Sequence, residues 1–385
     1  MLRLPQYILN VIGRIEQAGY EAYCVGGCVR DMLMGRVPHD YDVASNAPCD
    51  AVTEMFENTV ATGLKHGTVT VIADGHAVEV THYRIDGKYS DGRRPDSVTL
   101  TDDFTLDLSR RDFTVNAMGY HPERGIIDKF GGQEDIRRRV IQTVGDPDCR
   151  FDEDALRILR AVRFASTLEF TVEPQTLAAV ARHAPYLCKV SVERITAEIM
   201  RTLGGSRPSA LGTVISGGRL SHLGIGDGNI EPVDRMACSA DIRLAAVIKL
   251  CGGGSNTLRK MRLSNRTANR VHLALERFDM PLPHSDGDIR RWLQSCGDDT
   301  ADIIKAAGVM KSADTSATVA RLAEIIGRGD PYRIDMLAIG GNDLKPLGIS
   351  GQDIGRTLGK LLEAVTDDPS LNTREQLISL AQHIH

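Results

Sequence analysis

The alternation of apolar and polar residues predicts a β-sheet in the first third of the chain. Four short segments have this strand pattern: residues 21–25, 39–44, 68–73 and 77–83. Asp74-Gly75 lies between the last two segments, and an Asp-Gly pair in this position is a strong hairpin signal. In the second strand of this hairpin, residues 77–83, Val78, Val80 and His82 face one way, so that Glu79 faces the other. The pattern therefore predicts a sheet that carries an acidic residue in the middle of one strand.

Apolar residues at helical spacing dominate the rest of the chain. The predicted helical segments are residues 1–20, 135–166, 241–250, 256–278, 288–328, 354–364 and 373–384, with Ser191 as the N-cap of another helix. Residues 84–95 are rich in turn residues and charge without periodicity, which predicts a loop that leaves the sheet. Such loops often close over substrates, although a plain surface connection has the same composition. Beyond residue 200 the pattern predicts only a helical region.

Length and composition narrow the classes of protein. A chain of 385 residues exceeds the usual size of one core, so two to four domains are expected. The formal charge of −5 gives no bulk basicity for nucleic-acid binding, but local patches steer such binding. The eight cysteines lack metal-ligand spacing, which is typical of reduced thiols in the cytosol. No apolar run approaches the roughly 20 residues of a membrane span, so a cytoplasmic protein is expected.

Two motifs in the first 45 residues suggest nucleotide and metal chemistry. Gly26-Gly27 precedes a predicted helix, and paired glycines before a helix start suit close contact with phosphate. Asp40 and Asp42 are two apart, so in a strand both carboxylates point to one face. Each motif alone is usually structural, but their combination in one strand–helix–strand unit favours a function. Carboxylates that converge in this way need a cation, and oxygen ligands select Mg²⁺ for two-metal phosphoryl or nucleotidyl transfer.

An arginine-rich helix follows the predicted sheet. Asp154 and Arg157 are three residues apart and therefore adjacent on a helix, and Arg160 and Arg163 continue the stripe. An ordinary ion pair is the simple explanation. The alternative is base recognition, since a carboxylate accepts from the exocyclic amine of cytosine or adenine and an arginine donates to the adjacent ring nitrogen. Uracil and guanine present the opposite pattern, so this pair selects C and A without a template.

Together these motifs resemble the class II CCA-adding tRNA nucleotidyltransferases of the polymerase-β-like nucleotidyltransferase superfamily. The resemblance is carried by Gly26-Gly27-x-Val29-Arg30-Asp31, Asp40-x-Asp42, Arg110-Arg111-Asp112-Phe113-Thr114-x-Asn116, Glu153-Asp154-x-x-Arg157-x-x-Arg160-x-x-Arg163, and a C-terminal signature at residues 339–351. It is continuous over roughly residues 20–200, whereas residues 210–330 match only as a helical region.

The resemblance implies an α+β fold with a seahorse shape. An N-terminal mixed β-sheet nucleotidyltransferase head is expected at residues 1–138, followed by an all-helical neck, body and tail. The expected boundaries of these helical parts are residues 139–205 for the neck, 206–280 for the body and 281–385 for the tail. The neck would recognise the nucleotide base, and the tail would bind tRNA.

The resemblance also implies the addition of C, C and A to the 3′ end of tRNA from CTP and ATP, with release of pyrophosphate. The implied catalytic set is Asp40 and Asp42 as Mg²⁺ ligands with Glu79 as a third acid. The implied nucleotide-binding set is Gly26, Gly27, Arg30, Arg111, Asn116, Asp154, Arg157, Arg160 and Arg163. Residues 84–95, beginning at Arg84, correspond to a flexible loop linked to the switch from C to A addition, and Glu153 organises the neck helix.

Several alternatives share part of this pattern. A bacterial poly(A) polymerase has the same head motifs, but the C-terminal signature and the lack of a long basic extension argue against it. A CC-adding partner enzyme characteristically lacks the flexible loop, whereas this sequence has a predicted loop at residues 84–95. Intact Asp40 and Asp42 argue against a non-catalytic RNA-binding protein, and His39-Asp40 has no second His/Asp set for a metal phosphohydrolase. The expected partners are tRNA, CTP and ATP, with no membrane; monomer and homodimer both remain open.

Overall fold

The sheet predicted from the alternating segments is present and has seven strands in the computed structural model, which describes residues 2–63, 67–87 and 97–384. Its strand order is β3-β4-β5-β2-β1-β8-β9. The strands are β1 (Ala22–Val25), β2 (Asp42–Ser45), β3 (Thr59–Gly63), β4 (Thr68–Ala73), β5 (His76–His82), β8 (Met118–His121) and β9 (Gly125–Asp128). The neighbours β2 and β5 are parallel, and all other pairs in this sheet are antiparallel. The sheet is therefore mixed, as expected.

The parallel pair brings two of the predicted acids together. Asp42, the first residue of β2, lies opposite Glu79 in β5. The prediction of a strand over residues 39–44 was wrong at its start, because β2 begins at Asp42 and Asp40 precedes it. Asp40 is therefore placed by the turn before the strand and not by strand alternation.

Two short strand pairs lie outside the main sheet. β6 (Arg84–Asp86) pairs with β7 (Val98–Leu100), and β10 (Val140–Ile141) pairs with β11 (Thr171–Val172). The predicted loop over residues 84–95 was thus wrong at its first residues, which form a strand through backbone hydrogen bonds. The rest of that predicted loop, residues 88–95, lies outside the described residues.

Helices make up most of the remaining chain. Those up to residue 215 are α1 (Gln6–Gln17), α2 (Gly27–Leu33), α3 (Cys49–Met55), α4 (Phe104–Ser109), α5 (Gly132–Arg138), α6 (Pro147–Glu153), α7 (Leu156–Leu168), α8 (Pro174–His183), α9 (Val192–Leu203) and α10 (Gly212–Ile215). Ser191 is the N-cap of α9, but its side chain makes no capping hydrogen bond. The helical region predicted over residues 135–166 is interrupted between α5 and α6 and again at Asp154, where the backbone is extended.

Apolar clusters cover both faces of the sheet. On one face, α1 buries Ile8, Val11, Ile12 and Ile15 against strand residues such as Val43. Each fully buried side chain of this kind contributes about 1.5–3 kcal/mol. The opposite face carries a second cluster, whose buried members are Tyr23, Val25, Ala44, Tyr83, Phe104 and Leu108. Asp42 and Ala44 point to this second face, so the acids lie beside an ordered core.

A third cluster packs α7, the helix that carries Arg157, Arg160 and Arg163, against residues 113–115. Phe113 and Val115, which flank Thr114, pack with Phe164 and Leu168 of α7. Phe113 and Phe164 meet edge to face, with ring centroids 5.7 Å apart. The 3₁₀ turn Thr114–Asn116 is therefore held against α7, and its polar residues are placed beside the arginines of that helix.

The chain divides into two compact units. One comprises residues 1–228 with 260–262, and the other comprises residues 229–259 with 263–385. The later helices are α11 (Ala240–Leu250), α12 (Ser255–Met261), α13 (Asn265–Asp279), α14 (Asp286–Cys296), α15 (Thr300–Lys311), α16 (Ser316–Arg328), α17 (Gly341–Leu344), α18 (Gln352–Asp367) and α19 (Arg374–Ile384). The single helix predicted over residues 256–278 was wrong, because Arg262 adopts a φ of 51° and separates two helices.

The second unit has a helical core of its own. Leu344, Leu361, Val365, Leu377 and Ala381 form its C-terminal cluster with their neighbours. All eight cysteines of the chain are unpaired. Across the described ranges, none of the helices combines the length and the apolar character that a membrane crossing requires.

Candidate active site

The predicted site residues come together around one cavity of about 810 Å³ in the first unit. All thirteen of them line it: Gly26, Gly27, Arg30, Asp40, Asp42, Glu79, Arg84, Arg111, Asn116, Asp154, Arg157, Arg160 and Arg163. They come from four regions of the sequence that pattern alone could not place side by side. Their common location is a finding, whereas their individual roles stay predictions.

The acidic side of the cavity is formed by Asp42, Glu79 and Asp40. Burial of its carboxyl raises the pKa of Asp42, and the nearby charge of Glu79 raises it further. Arg111 acts in the opposite direction but does not reverse the shift. Asp40 is 83% exposed, and its Oδ1 lies 2.9 Å from Nδ1 of His39. Negative charge at this side of the cavity is therefore incompletely neutralised by the protein.

This acidic side fits a hard divalent cation in the chemistry of its donors. Carboxylate oxygens are the ligands that Mg²⁺ prefers, and a cation held by these residues would offset the part of the raised pKa of Asp42 that comes from the charge of Glu79. Within residues 2–63, 67–87 and 97–384, however, no group of three potential ligands is already gathered around one point. The donors present are thus a carboxylate pair and a third, exposed carboxylate in the preceding turn.

The glycine turn allows an arginine to approach the backbone. Gly26 has a φ of 77°, and a Cβ atom at this position would lie 3.0 Å from Nη1 of Arg111. A side chain would therefore be strained and would displace the guanidinium. Nη2 of Arg111 donates to Asp107 at 3.2 Å, while its Nε is buried and has no hydrogen-bond partner among the described residues. This donor is available to an anionic ligand in the cavity.

A buried polar network connects α2 with α7. Nη1 of Arg30 donates to Oδ1 of Asn116 at 2.6 Å, and Nδ2 of Asn116 donates to Asp112 at 3.2 Å. The other oxygen of Asp112 accepts from Nε of Arg160 at 2.7 Å. Burial acts to raise the pKa of Asp112, but Arg160 and these hydrogen bonds outweigh it and hold the pKa below its usual value. The network keeps Arg30 and Arg160 in fixed positions on two sides of the cavity.

Three guanidinium groups surround the ring of Phe164. The Cζ atoms of Arg30, Arg160 and Arg163 lie 5.3, 5.5 and 4.0 Å from its centroid. Cation–π attraction offsets part of the repulsion between them. Arg163 is also bonded to Glu198 at 2.7 Å, while burial lowers its pKa. This side of the cavity is consequently rich in positive charge and suited to a polyphosphate.

The expected contact between Asp154 and Arg157 on one helix was wrong. Asp154 lies between α6 and α7, where its carboxylate accepts from Nη2 of Arg194 at 2.7 Å and from the backbone of Leu156 at 3.0 Å. Arg157 instead donates to Glu153, which also binds Arg150 at 2.9 Å. Both predicted base-recognition residues still line the cavity, but each is held by a partner of its own.

A full-length relative decides the family. The CCA-adding enzyme of Levilactobacillus brevis is 36% identical over 385 aligned residues, which cover 96% of this chain and 95% of that protein. The chain belongs to the CCA-adding enzyme family. The family described as "Poly A polymerase head domain" matches residues 22–142, and "Probable RNA and SrmB- binding site of polymerase A" matches residues 169–211.

Other CCA-adding enzymes agree with this assignment. That of Geobacillus stearothermophilus is 50% identical over 200 residues, which is 52% of this chain and 50% of that protein. The crystal structure of the Bacillus stearothermophilus CCA-adding enzyme in complex with CTP superposes with a TM-score of 0.82 and 33% identity, covering 98% of this chain and 97% of that one. The Thermotoga maritima CCA-adding enzyme complexed with tRNA, at 20% identity and a TM-score of 0.66, shares the fold over 99% of this chain and 96% of that one.

The sequence did not single out several cavity residues of this CCA-adding enzyme family member. Asp112 was named only as a member of the motif at residues 110–116, with no role of its own, and Arg194 was not identified. Each is bonded to a residue 40 or more positions away, so no local spacing identifies it. Phe164 was not identified as a site residue, and its contacts with three arginines had no signal in the pattern.

Proposed function

We propose that this chain adds C, C and A to the 3′ end of tRNA from CTP and ATP without a nucleic-acid template. The observation that carries this proposal is the single cavity that holds an acidic side, a positively charged side, and the Asp154 and Arg157 side chains. The 3′ hydroxyl of the RNA attacks the α-phosphate of the bound nucleotide, and pyrophosphate leaves.

The positively charged side of the cavity binds the triphosphate of the nucleotide. Arg30, Arg111 and Arg160 bind the triphosphate and orient it, because their guanidinium groups are fixed by Asn116, Asp107 and Asp112. Fixed donors cost little reorganisation when charge develops. Gly26 and Gly27 leave room for this contact because neither presents a side chain.

Asp40 and Asp42, with Glu79 as a third acid, would hold divalent metal. Mg²⁺ bound there would lower the pKa of the attacking hydroxyl and offset the charge of the triphosphate and leaving pyrophosphate. The raised pKa of Asp42 supports this assignment: burial is its largest cause, and the charges of Glu79 and Asp40 add to it although Arg111 acts in the opposite direction.

Asp154 and Arg157 select the base. The Asp154 carboxylate accepts from the amine of cytosine or adenine, and Arg157 donates to the neighbouring ring nitrogen. UTP and GTP are rejected because each offers a donor to the arginine and a carbonyl to the carboxylate. A bidentate contact of this kind discriminates by about 1–3 kcal/mol.

The direct test supplies purified protein with Mg²⁺, all four nucleotides and tRNA that lacks its last three residues, and then sequences the RNA ends. The expected product carries C, C and A and grows no further, and tRNA that already ends in CCA serves as the control. Long poly(A) on arbitrary RNA would indicate a poly(A) polymerase, and arrest after two C residues would indicate a CC-adding enzyme. No extension of any RNA would contradict the proposal.

A further inference from the structure

A second, smaller cavity opens beside the active-site cavity in the same unit. Its volume is about 440 Å³, and it shares Arg30 and Arg163 with the active-site cavity. The turn between α2 and β2 contributes Arg36 and His39 to it, and α9 contributes Arg201. We call this second cavity the basic groove. The two cavities share wall residues, so the groove borders the active-site cavity.

The charge of the basic groove is strongly positive. Four arginines line it, against Asp31 as its one acidic lining residue among those that the structure describes. Arg30 pairs with Asp31 at 2.8 Å, and Glu198 pairs with both Arg163 and Arg201, at 2.7 and 3.1 Å. These two carboxylates therefore leave net positive charge.

Arg36 is the least compensated of the four. Its residue is exposed, and within the described ranges its side chain has no hydrogen bond or ion pair. Arg201 keeps 64% of its side chain exposed despite its bond to Glu198. Both guanidinium groups can therefore bind an anion from solvent without first breaking a buried contact.

The basic groove reaches the acidic side of the active site. His39 lines the groove, and its Nδ1 lies 2.9 Å from Oδ1 of Asp40, which lines the active-site cavity. An RNA whose 3′ hydroxyl reaches Asp40 and Asp42 must extend away from them. The positively charged groove beside Asp40 is a path for its backbone that does not cross Asp154 and Arg157.

We propose that the basic groove binds the last phosphates of the RNA strand whose 3′ hydroxyl is extended, with Arg36 and Arg201 as the phosphate contacts. This inference rests on the proposed function, because it takes the acidic side of the cavity as the place of attack. Arg36 and Arg201 are positioning residues: they hold the RNA backbone and do not touch the reacting atoms. The ligand is the phosphate backbone of this RNA strand, and contacts to phosphate carry no sequence requirement.

Salt dependence of RNA binding tests the contacts without turnover. The affinity for tRNA lacking its last three residues is measured in the absence of nucleotide, at increasing salt, for the wild type and for Arg36→Gln and Arg201→Gln. The slope of log K against log salt should fall by about 0.7 for each lost contact to a single strand. Arg3→Gln is the matched control, because Arg3 is also exposed and lines neither cavity. Equal slopes for Arg36→Gln and Arg3→Gln would overturn the proposal.

A modified RNA then locates the contact. One internucleotide phosphate at a time is replaced by a neutral methylphosphonate, first near the 3′ end and then in the acceptor stem. If Arg36 binds a terminal phosphate, the modification weakens binding to the wild type about tenfold but has little effect on Arg36→Gln. The same loss in both proteins at every terminal position would show that Arg36 does not bind these phosphates.

Steady-state kinetics distinguishes this groove from a second triphosphate site. Arg36→Gln should raise the KM for tRNA about tenfold and leave the KM for CTP unchanged. A raised KM for CTP with an unchanged KM for tRNA would assign Arg36 to the nucleotide and overturn the proposal. Failure of the wild type to extend any RNA would contradict the proposed function. Normal extension by the wild type, together with unchanged binding and kinetics in Arg36→Gln, would contradict only the proposal that the basic groove binds RNA.

Discussion

Nη2 of Arg194 lies 2.7 Å from Oδ2 of Asp154. Asp154 follows α6 with an extended backbone, and its other oxygen accepts from the amide of Leu156 at 3.0 Å. The carboxylate is thus held from two sides. Arg157 is held in a similar way by Glu153. If Asp154 and Arg157 act as a template, they need such partners. Ordering a flexible side chain when the nucleotide binds costs conformational entropy, which weakens discrimination.

Arg194→Ala should relax nucleotide selection without preventing incorporation. The Asp154 carboxylate would lose one of its two restraints, so the ratio of CTP to UTP incorporation should fall about tenfold, which corresponds to about 1.4 kcal/mol. The ratio is measured with single nucleotides on tRNA lacking its last three residues. Arg182→Ala is the control, because Arg182 binds Asp148 at the same 2.7 Å but does not line the cavity. Unchanged selection in Arg194→Ala would remove this positioning role.

Asp112→Asn should destabilise the first unit. Asp112 is 8% exposed and accepts from Arg160, Asn116 and the amide of Phe113. Loss of its charge leaves Arg160 without its main partner, and breaking a buried pair costs several kcal/mol, so about 2 kcal/mol or more is expected here. Urea unfolding measures the difference. Asp148→Asn, in an exposed ion pair, should cause a much smaller change. Equal effects would show that the buried network of Asp112 contributes no more to stability than an exposed ion pair does.

Acid should weaken the fold through the buried carboxylates. Burial acts to raise the pKa values of Asp107 and Asp112, but Arg111 and Arg160 respectively, with further hydrogen bonds, bring them below the usual carboxyl value. A folded-state pKa below the unfolded one gives stability that is present above pH ~4 and is lost as pH falls through the lowered values. Melting temperatures from pH 7 down to about pH 3 should fall less in Asp112→Asn than in the wild type. Parallel curves would contradict this linkage.

Asp42→Asn should separate stability from activity. Burial and the charge of Glu79 raise the pKa of Asp42, so its ionised form opposes folding when no cation is present. Without metal at neutral pH, the variant should therefore melt at a higher temperature than the wild type. Added Mg²⁺ should raise the melting temperature of the wild type more than that of the variant, while nucleotide incorporation by the variant is lost. Full incorporation by Asp42→Asn would end the assignment of Asp42 as a catalytic acid.

Local patterns predicted the sheet and much of the site, for identifiable reasons. Period-two alternation and the Asp-Gly turn were sufficient for β4 and β5, and the neighbouring strand placed Asp42 opposite Glu79. Asp40 was predicted to lie in a strand but precedes it. The residue pattern does not show at which residue the backbone hydrogen bonds between strands begin. The common cavity followed from a family resemblance and not from periodicity.

Tertiary contacts account for what the sequence missed. The break at Asp154 was not predicted because the flanking residues suit a helix, whereas the extended backbone is stabilised by Arg194, 40 residues away. Arg84–Asp86 forms a strand only because Val98–Leu100 returns beside it. The break at Arg262 requires a positive φ that its residue type does not suggest. Each of these features depends on a partner or conformation outside the local pattern.

The most direct test of base selection by protein side chains compares the wild type with Asp154→Ala/Arg157→Ala. Each of the four nucleotides is supplied alone, with Mg²⁺, to tRNAs that end before the first C, before the second C and before the A. The wild type should incorporate C, C and A at these stages, and the double variant should incorporate U and G at rates close to those of C and A. Unaltered selectivity in a folded double variant would contradict the account.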